Sequence, residues 1–197
     1  MQKTILFFSS ILILSNSGCS SRDSIKPANK NILSIENMSS YVSDIRAKGA
    51  TCAAPAKAVT WNATLAKIAQ SHAKDMSEMG EISHSGSGGL LDPARPNINV
   101  GSTFVDRMKY YGYAVKVGQL VGENLAKVSI KNSKTDKPMT NFKNAIKKLM
   151  NDRKHCELIM NPRFNEIGMA LHRKGDYYYF VMELGEKVAK TSNPASF

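Results

Sequence analysis

Three short segments carry side chains that can do chemistry: Ser83-His84-Ser85, Gly122-Glu123-Asn124, and His155-Cys156-Glu157-Leu158-Ile159-Met160-Asn161-Pro162 leading to Gly168. Two imidazoles and nearby carboxylates that converge on one site suit three tasks. Neutral imidazole and carboxylate bind a divalent ion such as Zn²⁺, and three protein ligands plus one open position is the pattern of catalytic zinc. An imidazole oriented by an acid can activate a hydroxyl nucleophile. The same groups can also hold a ligand by hydrogen bonds alone. No HExxH pair marks a zinc helix, and no G-x-S-x-G pattern marks a nucleophile elbow. Neighbours on an extended segment point to opposite faces, so Ser83 and Ser85 are poorly aimed at His84. Binding is therefore favoured over turnover, with a metal-assisted or serine hydrolase acting on envelope material as the competing class.

The elements that must position these residues follow from periodicity. Residues 34–48 carry Ile35, Met38, Val42 and Ile45 at helical spacing, with Gly49 as a stop. Residues 52–59 read as a loop. Trp61-Asn62 opens the strongest helix, in which Leu65, Ile68, Ala69, His72, Met76 and Met79 form one stripe ended by Gly80. A glycine- and proline-rich loop covers 85–99, a short helix 103–111 is stopped by Gly112, and 115–126 is extended. Residues 138–152 form another helix, with Phe142, Ala145, Ile146 and Leu149 inward. The stretches 164–172 and 177–184 alternate as two strands joined by a turn at Lys174-Gly175-Asp176. Helices first, then a strand, a helix and a hairpin define an α+β class. On the stripe, His72, Met76 and Met79 read as core, His72 with its hydrogen bonds satisfied; His172, beside the turn, reads as solvent-exposed.

Composition limits the rest. Lys3, the apolar run Ile5 to Leu14 and Ser17-Gly18-Cys19 read as a secretory signal over 1–18, too short to span a membrane. Cysteine after small residues resembles a lipoprotein cleavage site, making Cys19 the acylated first residue and membrane anchor. Residues 19–33 are a polar tether, at most ~45 Å long if fully extended. The formal charge is +11, and +10 without residues 1–18, which remove one lysine and no acid. The 179 residues left after residue 18 suffice for one domain, over 34–186, followed by a tail over 187–197. Lys131, Lys134, Lys137, Lys143, Lys147, Lys148, Arg153 and Lys154 make the densest positive region. Outside the cytoplasm, that face suits an anionic envelope polymer or lipid headgroups better than nucleic acid. With Cys19 acylated, Cys52 and Cys156 remain, in a compartment where disulfides persist. A pair is the default, and two separate buried thiols the alternative.

In order and spacing, five segments resemble one family: Arg46 to Cys52, Leu65 to Met76, Ile82-Ser83-His84-Ser85-Gly86, Gly122-Glu123-Asn124-Leu125-Ala126, and His155 to Gly168 with Asn161-Pro162 and Glu166-Ile167. They resemble bacterial members of the CAP superfamily: cysteine-rich secretory proteins, antigen 5 and pathogenesis-related 1 proteins, also called SCP-like extracellular proteins. The resemblance implies an α-β-α sandwich with a small, mostly antiparallel sheet, and a disulfide between Cys52 and Cys156. It implies a cleft lined by His84, Glu123 and His155, with Asp152 where a second acid falls. His84, His155 and Glu123 are then the candidate metal ligands. Leu149 stands where relatives carry a tryptophan, and Asp152-Arg153-Lys154 replaces a Ser-Pro stretch. The aromatic strand is present as Tyr177-Tyr178-Tyr179-Phe180 without the usual tryptophan. The implied function is cleft binding of a small ligand, lipid- or sterol-like or peptidic, with Met76, Met79, Met169, Met182, Tyr177 and Tyr179 as candidate walls. The implied place is the bacterial cell envelope, lipid-anchored and extracytoplasmic, at the outer membrane in a Gram-negative host.

Overall fold

A computed structural model describes residues 33–113, 115–132 and 136–187. The signal, most of the tether, Cys19, Lys134 and the tail beyond 187 lie outside the described residues.

The chain begins with α1 (Ile35–Lys48), capped by the Ser34 side chain, which accepts from the Asn37 N–H. The two-residue strand β1 (Thr60–Trp61) precedes α2 (Ala63–Met79). Asn62 is the N-cap of α2 and accepts from the Thr64 and Leu65 amides, so the helix opens after Trp61 rather than with it. α3 (Phe104–Tyr110) starts in a reciprocal capping box between Thr103 and Asp106. Gly49, Gly80 and Gly112 follow these helices at φ 78, 79 and 76, the left-handed conformation a helix stop demands.

The expected strand over 115–126 starts later, as β2 (Val121–Ser129), because the chain first turns at Lys116–Gln119 around Gly118, φ 79. The expected helix 138–152 is α4 (Pro138–Met150), and a further helix not expected from sequence, α5 (Arg153–Met160), follows it. Asp152 divides them, its carboxylate accepting from the Lys154 and His155 amides at 3.0 and 3.2 Å. A side chain that offers acceptors to free amides starts a new helix there. The hairpin is β3 (Glu166–Lys174) and β4 (Tyr177–Gly185).

The strands lie in the order β1-β3-β4-β2. β4 pairs antiparallel with both β3 and β2, while β1 runs parallel to β3 over two residues only. The sheet is the middle of three layers. On one face α2 packs through Ala69, Ala73 and Met76 against Leu125, Tyr179 and Val181. On the other, Met38 and Val42 of α1, Phe142, Ile146 and Leu149 of α4 and Ile159 of α5 pack on Ala126, Phe180, Met182 and Leu184. The fold is thus α+β, as expected. Gly168 lets α2 sit directly on the sheet, since a Cβ there would lie 2.1 Å from the Ala66 nitrogen and 2.3 Å from the Leu65 carbonyl carbon. Met76, Met169, Met182 and Tyr179 are core, Met79 packs beside it, and Tyr177 is exposed.

Two long-range ties join the connections to this frame. Cys52 and Cys156 form a disulfide, Cα atoms 6.1 Å apart across 104 residues of sequence. Arg46 is fully buried. It donates to the Lys57, Asn161 and Phe164 carbonyls at 2.8, 3.1 and 2.9 Å, and also to the Ile159 carbonyl. A cation among carbonyls at the end of α5 satisfies groups the helix leaves free and complements its dipole.

Candidate functional site

The site is built along one stretch of β2. Consecutive residues of a strand face opposite ways, and the packing shows which way each goes. Leu125 meets α2 and Ala126 meets the α4 side, so Glu123 faces α2 and Asn124 faces α4 and α5.

On the α2 face Glu123 is buried and lies among cations and imidazoles. His84, in the loop after α2, donates from Nδ1 to Glu123 Oε1 at 2.7 Å. Arg107 of α3, also buried, donates from Nη2 to Glu123 Oε2 at 2.7 Å and to the His84 carbonyl at 3.0 Å. One guanidinium thereby positions both the acid and the loop carrying the histidine. The His84 side chain is 62% exposed while that of Glu123 is 2% exposed. The outcome is an imidazole held by its inner nitrogen with Nε2 presented outward.

His72, expected in the core, is buried there and donates from Nε2 to the Ser83 carbonyl at 2.8 Å. The same nitrogen is 3.9 Å from Glu123 Oε2. It is only half satisfied, because Nδ1 has no partner among the described residues. Directly opposite Glu123 in the β2–β4 ladder stands Glu183, fully buried. No donor reaches either of its carboxyl oxygens among the described residues, so the two acids hydrogen-bond only when one carries the proton. Burial first, and then the charge of Glu123, push Glu183 well above the usual carboxylate range. Glu183 is therefore the neutral member. Burial would raise Glu123 as well, but the His84 hydrogen bond and the Arg107 charge outweigh it and hold Glu123 below its ordinary value. The same hydrogen bond raises His84 against the opposing effect of its partial burial. Burial lowers His72, which stays neutral.

His155 sits on the other face of the strand. It lies in the first turn of α5, half-buried, and donates from Nδ1 to Asn124 Oδ1 at 2.6 Å. Asp152 is exposed and spends its carboxylate on the cap of α5. The four expected residues are therefore divided: His84 with Glu123 on one face, His155 with Asn124 on the other, and Asp152 at a helix start. Among the described residues no group of three or more His, Cys, Asp or Glu stands ready to hold a metal ion.

Among the described residues no serine hydroxyl hydrogen-bonds to His84. Ser83 Oγ accepts from the Ser85 amide, and Ser87 is held by Asp75. Three residues of the polar cluster were not expected from sequence: Arg107, Asn124 as the partner of His155, and Glu183. For Glu183 a signal existed, an acid inside the apolar run Tyr177 to Leu184. His172 is half-buried and lines a groove, contrary to the expected full exposure.

The class that fold and site define is a three-layer α-β-α module presenting an acid-backed histidine. The model of the cysteine-rich secretory protein family, CAP, matches residues 40–184, and the chain belongs to that family. Among solved structures it is similar to an extracellular protein with an SCP domain from Bacillus anthracis, at 18% identity and a TM-score of 0.56. That match covers 80% of this chain and spans 40% of the length of the Bacillus protein. It is also similar to an outer surface protein of Borrelia burgdorferi, at 19% identity and a TM-score of 0.53, covering 77% of this chain and 90% of that one. No curated protein sequence matches the chain.

Proposed function

We propose that this chain is an extracytoplasmic CAP-domain lipoprotein that binds a small hydrophobic or peptidic ligand through a polar contact to His84. One observation carries the reading: an exposed imidazole oriented by a buried carboxylate, with no hydroxyl or thiol nucleophile hydrogen-bonded to it. An oriented, partly charged donor of this kind recognises an acceptor group on a ligand. Turnover by a protein nucleophile would require a hydroxyl or thiol hydrogen-bonded to His84, and none is found among the described residues.

The signal-like pattern over 1–18, the cysteine at 19 that resembles an acylation site and the polar run over 19–33 support a lipid-anchored place at the envelope. The Borrelia neighbour's description as an outer surface protein supports that location. The lysines of α4 (Lys143, Lys147 and Lys148), with Arg153 and Lys154 at the start of α5, support an anionic envelope polymer, rather than nucleic acid, as the surface partner.

Native mass spectrometry of the mature protein after exposure to an envelope extract tests this reading. The wild type is expected to carry a ligand mass that His84→Ala loses. A bare wild-type protein sinks the proposal. A product released from the extract in a His84-dependent way replaces it with the hydrolase reading.

A further inference from the structure

We propose that the open edge of β3 is a docking groove for an extended acidic peptide segment, which adds to the sheet in line with β1. β1 occupies this edge only at Glu166 and Ile167. Beyond it, a groove of about 400 Å³ runs between β3 and the first turns of α2. Four consecutive β3 residues, Met169 to His172, line it. Successive side chains point to opposite faces, so four in a row can share one wall only if the strand's edge is that wall.

The hydrogen-bond pattern sets which groups are offered. Asn62 N–H donates to the Ile167 carbonyl at 2.8 Å, so residue 167 faces β1. By alternation the N–H and C=O groups of Met169, Leu171 and Arg173 face the same side, where Met169 is buried, Leu171 half-buried and Arg173 exposed. Among the described residues no backbone group pairs with them there. Unpaired strand edges are templates for another extended chain.

The groove also selects charge. Lys67 and Gln70 of α2 and His172 of β3 are its polar members, and no carboxylate lines it. Ala66 leaves room for side chains, and Trp61 lies at the end where β1 stops. An extended backbone with acidic side chains toward Lys67 meets both the donors and the charge. The groove borders β3, whereas His84 and Glu123 belong to the opposite side of the sheet, across β4. The proposal therefore stands independently of the His84 reading.

The test is an NMR titration of the ¹⁵N-labelled protein with a synthetic hexapeptide alternating Glu and Val, and with its Lys–Val counterpart. The acidic peptide is expected to shift the amides of 168–174 and slow hydrogen exchange at Leu171 and Arg173. Binding of the Lys–Val peptide is expected at least tenfold weaker. Lys67→Glu reverses that preference. Leu171→Pro abolishes binding by removing an outward N–H while leaving the β4 ladder intact. Absence of shifts with either peptide overturns the proposal. So does edge protection that appears only as protein concentration rises, which assigns the groove to a second copy. Protection without peptide that vanishes when residues 19–33 are deleted also overturns it, giving the groove to the chain's own tether.

Discussion

Glu123 decides how the polar core behaves, because three groups compete for one carboxylate. Arg107 and His84 hold it ionised, and Glu183 opposite must then stay protonated. The pH dependence follows from the signs. His84 is raised in the folded state, so its stabilisation is complete below the unfolded histidine pKa and disappears as pH rises through the raised folded value. Glu123 is lowered, so its contribution is present above the unfolded carboxylate pKa and is lost as pH falls through the folded value. The pair stabilises most in the mildly acidic window between. Glu123→Gln is expected to return His84 to or below the free-imidazole value of about 6.5, read by NMR titration of its ring. It should also cost about 3–5 kcal/mol in urea denaturation by leaving Arg107 buried without its anion. Glu183 carries the opposite sign: an acid raised by folding withdraws stability as pH climbs past its unfolded value. Glu183→Gln keeps the shape and a donor, and should raise the thermal midpoint at pH 7 with little change at pH 4. A lowered midpoint at pH 7 would contradict the protonated assignment.

At the scale of elements, α5 is the piece most dependent on local chemistry. It is eight residues long, too short to persist on packing-free propensity. It is held at its start by the Asp152 cap, at its end by Arg46, and in its middle by the Cys156 disulfide. Asp152→Ala is expected to cost about 1 kcal/mol, with Asp152→Asn restoring most of it. If the acid instead served the cleft, the loss would appear in ligand mass and not in denaturation. The long periodic elements α1, α2, α4 and the β3–β4 hairpin were legible because each repeats its apolar pattern over several turns or pleats. α5 was not, since its cap continues the charge pattern of α4 without a glycine or proline break. β1 escaped as well: two residues cannot show a period, and only its partner β3 makes them a strand.

For the whole molecule, the disulfide is the principal covalent constraint, closing a loop that contains α2, α3, β2 and α4. Reducing it, or replacing both cysteines by serine, is expected to lower stability by roughly 4–5 kcal/mol on the chain-entropy account. The midpoint in guanidinium should fall while the His84–Glu123 ring shift at 25 °C survives in the folded fraction. Loss of that shift in protein that is still folded would mean the bridge shapes the site itself. The three layers explain why it should survive: His84, Glu123 and Arg107 belong to the α2 face, and Cys156 to the other.

Residue order pointed to the α+β class, the main helices and the hairpin, made a pair of Cys52 and Cys156 the default, and through the family resemblance singled out His84, Glu123 and His155. These depend on periodicity, composition and motif spacing, which are properties of the chain taken along its length. Tertiary structure alone decided that Glu123 and Asn124 part to opposite faces, so that the two histidines serve different partners. It also set Glu183 against Glu123 and brought Arg107 onto Glu123. Those outcomes depend on the register of β2 against β4 and on which layer covers each face, and neither is written in any local run of residues.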